Sequence, residues 1–361
     1  MFKKLFGSKE KEFTLLIDGV DMPIKNTNKE TILQAALREG VKFPHSCRVG
    51  GCTLCKCKLV SGDVKQLTET AYVLSKEELQ QNYILACQSQ PKSDVRVEVD
   101  FSRMEDLPSH KLITVEGTVK GKNILTSDIC EIIIETDSVL EYTPGQYAEI
   151  SIPGRFEEPR AYSFASAVRS NPNELSFFVR AIPNGEVSNW FVHESKLGDK
   201  VQLEGPSGDF HLRDSDTPMI CIAGGSGLAP VISILEDAIN KNVDRDLVMY
   251  FGARTEQDLY ALDKIEKIEQ DWEGDFEFVP VLSEEPDDSS WQGARGFITE
   301  HFKSQCESEH QIYMCGPPPM IDAAIEVAHS VNVDDEHIFF DKFLDRSSAS
   351  PAKNTEETAV D

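Results

Sequence analysis

The sequence contains no apolar run long enough to cross a membrane or to act as a secretory leader. The opening Met1-Phe-Lys-Lys-Leu-Phe-Gly carries charge without a hydrophobic stretch behind it, so a frayed terminus is expected there rather than an anchor. Basic charge is scarce beyond the first hundred residues. Positions 108–361 hold 20 Lys or Arg against 47 Asp or Glu, a net of −27, whereas positions 1–107 hold 16 against 15, a net of +1. Most of this surface would repel a polyanion, which argues against nucleic acid as a partner. Disulfide spacing is missing as well. The nine cysteines are an odd number, and Cys130, Cys221, Cys306 and Cys315 are scattered without pairing intervals, as suits a reducing, cytoplasmic setting.

What is present is a chain of 361 residues, 40% hydrophobic and 27% charged, enough for two or three domains with cores of their own. Its most informative stretch is Cys47-Arg-Val-Gly-Gly-Cys52-Thr-Leu-Cys55, completed by Cys87 in Ile-Leu-Ala-Cys-Gln. Three thiolates at C-x4-C-x2-C spacing with a distant fourth form a [2Fe-2S] ligand pattern. Gly50 and Gly51 let the backbone come close to the sulfides. A structural zinc site usually pairs two C-x2-C knuckles, and neither the four-residue gap nor the lone fourth cysteine fits that. Cys57 is left over and reads as a packed thiol.

Around this stretch, Phe13–Asp18 reads as a strand turning at Asp18-Gly19 into Met22–Lys25. Thr31 precedes a short helix from Ile32, ended by Gly40, and Ser75-Lys-Glu-Glu opens another with a capping-box pattern. Val95–Asp100 alternates like an edge strand. This much resembles a plant-type ferredoxin, an α+β fold with a mixed sheet clasping one helix.

From about Pro108, short strands separated by Gly and Pro turns suit an antiparallel barrel: Leu112–Thr118, Glu131–Glu135, Ala148–Ile152, Leu175–Arg180 and Val201–Glu204. Within it lies Arg160-Ala-Tyr-Ser-Phe, where Arg160 and Tyr162 share one face of a strand and could meet a phosphate and a ring together. With Gly185-Glu-Val-Ser-Asn and Gly205-Pro-Ser-Gly-Asp-Phe, this segment resembles the flavin motif of the ferredoxin-NADP reductase superfamily. The resemblance implies that Arg160 binds the flavin pyrophosphate, that Tyr162 lies against the isoalloxazine and that Ser163 bonds near its N5. It further implies that Gly185, Val187 and Ser188 present a helix start to the pyrophosphate.

From Pro218 the pattern becomes alternating α/β. Met219–Ala223 is an apolar strand, Gly224-Gly-Ser-Gly a tight turn and Val231 onward a helix; Leu247–Phe251, Phe278–Leu282 and Gln311–Met314 read as further strands, the last running into Cys315-Gly-Pro-Pro-Pro and a helix from Ile321. The turn is not the G-x-G-x-x-G fingerprint. The segment resembles the pyridine-nucleotide domain of the same superfamily. By that likeness Gly224, Gly225, Ser226 and Gly227 hold the dinucleotide, Cys315, Gly316 and Pro317 border the nicotinamide, and Phe340 or Phe343 in the closing strand covers the flavin. A thiol buried at the strand end is the competing reading of Cys315. From Arg346 onward the composition suggests a disordered tail.

The whole therefore divides into a segment 1–9, a [2Fe-2S] ferredoxin domain 10–107, a FAD barrel 108–215, an NAD domain 216–345 and a tail 346–361. The order resembles the reductase components of bacterial multicomponent oxygenases such as phenol hydroxylase, methane monooxygenase and benzoate dioxygenase. That likeness implies NADH as donor, hydride transfer to flavin, with Tyr162, Ser163 and Cys315 around the reacting atoms, and single electrons leaving through the cluster to an oxygenase or hydroxylase partner. No acid–base dyad is expected. Arg254 after the Leu247 strand, followed by Glu256 and Asp258, leans toward NADH over NADPH. Lys42, Arg48, Lys56 and Lys58 suggest a basic docking patch around the cluster. Two other readings share the modules: a reductase of deoxysugar synthesis, and a non-enzymatic redox sensor. A sodium-pumping quinone reductase subunit would need an N-terminal spanning helix.

Overall fold

The computed structural model describes residues 10–45, 48, 50–51, 53–68, 70, 73–102, 110–156, 158–167 and 171–343. Cys47, Cys52, the segment 1–9 and the tail 346–361 lie outside them. Three sheets follow one another along the chain.

The first contains β1 (Glu12–Ile17), β2 (Ile24–Thr27), β3 (Lys56–Ser61), β5 (Tyr83–Leu85) and β7 (Val95–Glu98), in the order β2-β1-β7-β3-β5; β4 (Val64–Gln66) and β6 (Ser89–Pro91) pair separately. Helix α1 (Ile32–Arg38) starts where Thr31 accepts the Gln34 N–H and Gln34 returns a bond to the Thr31 N–H. That reciprocal cap satisfies two donors the helix leaves open. Ile32, Leu33, Ala35, Ala36 and Leu37 then bury one face against the sheet. Ser75 caps α2 (Lys76–Gln80) in the same way. Val95–Asp100 is not an edge: β7 lies between β1, to which it is parallel, and β3, to which it is antiparallel. Its alternation records one face buried and one wet, which does not distinguish an inner strand from an outer one.

The second sheet is antiparallel, β11 (Arg160–Ser163), β10 (Tyr147–Ser151), β13 (Lys200–Ser207), β8 (Ile113–Ile124), β9 (Ile129–Thr136) and β12 (Glu174–Arg180) in spatial order. A bridge from Phe164 to Phe177 joins its two ends and nearly closes a barrel. Ile132, Ile134, Phe177, Val201 and Leu203 fill it, with Val187 of α3 (Glu186–Asn189) and the following Trp190 and Phe191.

The third sheet is wholly parallel: β17 (Ala294–Arg295), β16 (Phe276–Leu282), β15 (Leu247–Ala253), β14 (Met219–Gly224), β18 (Gln311–Gly316) and β19 (Ile338–Lys342). Every residue of β14 is buried, with Met219, Cys221 and Ala223 in one core and Ile220 and Ile222 in the other, because α4 (Leu228–Asn240), α5 (Leu262–Asp271) and α6 (Pro318–Ser330) supply cover. Both α4 and α6 begin three residues before the positions expected, at Leu228 and Pro318. Their prolines fall in the first turn, where the missing N–H would have had no partner. Ile129, Ala165 and Phe178 of the barrel join one of these cores, so the second and third sheets share apolar interior. Among the described residues no helix is long and apolar enough to cross a membrane.

Gly117 in β8 faces a filled interior: a Cβ there would lie 2.6 Å from the Ile134 side chain and 2.7 Å from that of Leu203. Gly117→Ala is expected to overpack the barrel and lower its stability by about 1–3 kcal/mol, measured as the urea midpoint. An unchanged midpoint would mean that the strands part freely here.

Candidate functional site

The cluster loop turns sharply. Arg48, Gly50 and Thr53 all have left-handed backbone, with φ of 54°, 88° and 59°. A Cβ on Gly50 would lie 2.8 Å from Cγ of Gln88, so only glycine fits beneath that side chain. Of the four expected ligands, Cys55 and Cys87 are described; both are buried, and the Ala86 N–H donates to the Cys55 carbonyl at 3.0 Å. Two thiols brought to one end of a small core, beside a loop of left-handed turns, fit the donor chemistry of an iron–sulfur cluster. Gln88 fastens the loop, its amide donating at 3.0 Å to the carbonyls of Arg48 and Cys87. Cys57 is buried in β3, and burial pushes its thiol up.

Two residues of the loop reach the barrel. The Arg48 side chain is 5% exposed; it donates to Ser207 Oγ at 2.9 Å and lies 3.2 Å from Glu204 and 3.6 Å from Glu149. His45 Nε2 accepts the Gly208 N–H at 3.1 Å, and its Nδ1 donates to the Phe43 carbonyl at 2.7 Å. Burial pushes the His45 pKa down to about 4, which keeps that acceptor neutral. The expected basic patch is corrected accordingly. Arg48 is internal, and Lys56 is held by Glu78 and rests 5.6 Å over the Tyr83 ring, while Lys42 is exposed and Lys58 half-buried.

On β11, Arg160 and Tyr162 lie on one face. Arg160 is 38% exposed, with its guanidinium on the Pro159 carbonyl and near Glu158. Tyr162 packs edge-on to Phe191 at 5.6 Å, and burial raises its phenol. Ser163 is buried. Gly185 is the N-cap of α3, and a Cβ there would come within 2.5 Å of Ile182 and Ser188 Oγ. Val187 points into the barrel core, so any contact it makes with a phosphate is through its backbone. A half-open cation beside an aromatic ring and a tight glycine turn fit a flavin with a pyrophosphate.

In the parallel sheet the chain runs outward from β14 through β15 and β16, then returns to place β18 on the other side of β14. The crevice at such a reversal, at the carboxyl ends of the strands, is where open α/β sheets bind ligands. Gly224–Gly227 leaves β14 there and Cys315–Pro317 leaves β18. A Cβ on Gly227 would lie 2.2 Å from the Cys315 carbonyl, so the two turns meet backbone to backbone. Cys315 is fully buried; burial first, then Asp341, hold its thiol well above the ordinary range. Phe343 donates its N–H to Gly316 and packs against the core shared with the barrel, whereas Phe340 packs in the core on the other face of the sheet.

Several residues at these sites carry no motif. Besides Gln88, the hydroxyl of buried Tyr260 donates to the Gly225 carbonyl at 2.9 Å, and Asp128 in the β8–β9 turn binds both Arg180 and Arg254. Only the position of Gln88 next to Cys87 gave a sequence signal. Gln88→Ala is expected to free the loop at Arg48, so the visible cluster absorption should decay several-fold faster in dilute urea; decay at the unaltered rate would assign the loop's order to the thiols alone.

Three family models match in succession: a 2Fe-2S iron-sulfur cluster binding domain over 15–92, an oxidoreductase FAD-binding domain over 116–212 and an oxidoreductase NAD-binding domain over 221–326. The chain is 39% identical over 348 residues to the xylene/toluene monooxygenase electron transfer component XylA of Pseudomonas putida, covering 96% of this chain and 98% of that one. It is 32% identical to the phenol 2-monooxygenase reductase component DmpP of Pseudomonas sp. strain CF600, over 92% and 94% of the two chains. Among solved structures, the Amycolatopsis cytochrome P450 reductase GcoB superposes with a TM-score of 0.83 at 32% identity, covering 94% of this chain and all of that one. The chain belongs to the reductase, or electron-transfer, components of multicomponent mono- and dioxygenases, with 2Fe-2S, FAD-binding and NAD-binding domains in that order.

Proposed function

We propose that this chain oxidises NADH and delivers the electrons singly, through FAD and then the cluster, to an oxygenase or hydroxylase component in the cytoplasm. The units are 10–107, 108–215 and 216–345. The observation that carries the order is that the barrel is touched on both sides. Ser207 and Gly208 meet the cluster loop, and Arg180 at the end of β12 approaches Gly225 of the nucleotide turn. Bound flavin supplies the exchange between an electron pair and single electrons, and the bound cluster supplies the one-electron exit.

The protein's share is alignment. Arg160 holds the flavin pyrophosphate, with Gly185 and the backbone of Val187 and Ser188 behind it. Tyr162 packs on the ring and Ser163 offers its hydroxyl to the N5 edge. Gly224, Gly225, Ser226 and Gly227 take the dinucleotide, and Cys315, Gly316 and Pro317 wall the nicotinamide. Burial keeps the Cys315 thiol protonated, so it shapes the wall without acting as a nucleophile. Phe343, beside Gly316, is better placed than Phe340 to cover the flavin. Cys47, Cys52, Cys55 and Cys87 bind the cluster. The thiols that the cluster does not use, Cys57, Cys130, Cys221, Cys306 and Cys315, form no disulfide, in keeping with a reducing compartment.

Preference for NADH rests on Arg254. Its guanidinium is already neutralised by Asp128 at 3.1 Å and Asp258 at 2.8 Å, which leaves little positive charge for a 2′-phosphate. We expect kcat/KM for NADH to exceed that for NADPH on the order of a hundredfold, and Asp258→Asn to narrow the gap; equal use of both nucleotides would contradict the assignment. For the route itself, Cys55→Ser should keep NADH–ferricyanide turnover, which flavin alone supports, and lose cytochrome c reduction. Full cytochrome c reduction without the cluster would place the exit at the flavin.

A further inference from the structure

Glu149 and Glu204 are register partners on β10 and β13, so two carboxylates face each other across neighbouring strands. Like charges in that position destabilise a sheet. Burial, reinforced by Glu204, pushes the Glu149 carboxyl up against the pull of Arg48. Among the described residues, no lysine or arginine of the barrel forms an ion pair with either carboxylate. The cation comes from the ferredoxin domain, 156 positions away from Glu204 in sequence, and its side chain is almost wholly enclosed on arrival.

We propose that Arg48 is a positioning residue for the internal electron step, clamping the cluster-ligand loop to the flavin barrel through Glu149, Glu204 and Ser207. The inference rests on the flavin-to-cluster order proposed above. Three features of the geometry carry it. Arg48 directly follows Cys47, so a clamp on Arg48 acts on the backbone next to an expected cluster ligand. Its carbonyl is tied through Gln88 to Cys87, which gives a continuous path of bonds and hydrogen bonds from a cluster ligand to β13. On the barrel side, Tyr147 is the register partner of both Ser207 and Ser163. The clamp therefore stands two strand spacings, about 10 Å, from the serine proposed to face the flavin.

Arginine suits this position because its planar fork meets a hydroxyl and two acids together, which a lysine ammonium would not span. The second contact, Gly208 to neutral His45, holds the same end of β13 and resists rotation about the guanidinium. The step would pass one electron from the flavin that the barrel would hold to the cluster that Cys47, Cys52, Cys55 and Cys87 would hold. Arg48 exchanges neither proton nor electron, and its contribution is distance and orientation.

The test uses the full chain with both cofactors, mixed anaerobically with NADH in a stopped-flow instrument, and compares Arg48→Met with the double variant Glu149→Gln/Glu204→Gln. The double variant leaves the cluster loop's sequence intact, so it reads the clamp even if Arg48→Met impairs cluster assembly. We expect flavin bleaching at the unaltered rate in both and cluster bleaching slowed on the order of ten- to a hundredfold. Iron content of the double variant should be unchanged. Amide exchange over residues 204–210, which requires no electron flow, should rise with the loss of the Arg48 and His45 contacts. Cluster bleaching at the unaltered rate in the double variant, or unaltered exchange over 204–210, would overturn the proposal. The unsubstituted protein in the same experiment decides the flavin-to-cluster order separately.

Discussion

The structure depends on contact between domains through buried polar groups rather than through a linker alone. The Arg48 guanidinium is enclosed between acids of adjacent barrel strands, and burying a charge in this way is tolerable only when its partners are in place. The ferredoxin domain thus has a reason to sit in one orientation on the barrel. On the other side the barrel and the parallel sheet share an apolar core, and Asp128, Ser166 and Glu131 of the barrel bond to Arg254, Glu236 and Lys264 of the nucleotide domain. The barrel thus touches both other domains, the ferredoxin domain through a buried polar clamp and the nucleotide domain through apolar core and polar bonds together.

This division has a functional logic. In the proposed route, hydride transfer needs the nicotinamide and flavin in contact, and a shared apolar core with the crevice at a strand-order reversal suits that need. Single-electron transfer needs proximity without contact chemistry, and a polar clamp at the end of β13 provides that. Burial pushes up the thiols of Cys221 and Cys315, both in the nucleotide sheet, which keeps them protonated.

Much of this was legible in the residues. The cysteine spacing pointed to the cluster, the capping pairs at Thr31 and Ser75 located two helices, and the turns after β14 and β18 were visible as glycine and proline clusters. What was not legible lies between domains. Arg48 looked like one more surface cation because nothing local distinguishes a lysine or arginine in water from one whose counter-charges stand 101 and 156 positions later. Gln88, Tyr260 and Asp128 likewise owe their roles to partners distant in sequence, and the inner position of β7 depends on pairing that its own alternation does not encode.

The most direct test of the account is the absorbance of the oxidised full chain after rapid anaerobic mixing with NADH. Electron flow from nucleotide through the barrel to the ferredoxin domain predicts that the flavin band bleaches first and the cluster band follows, with partial recovery of the flavin. A cluster band that stays oxidised while the flavin remains fully bleached would contradict it.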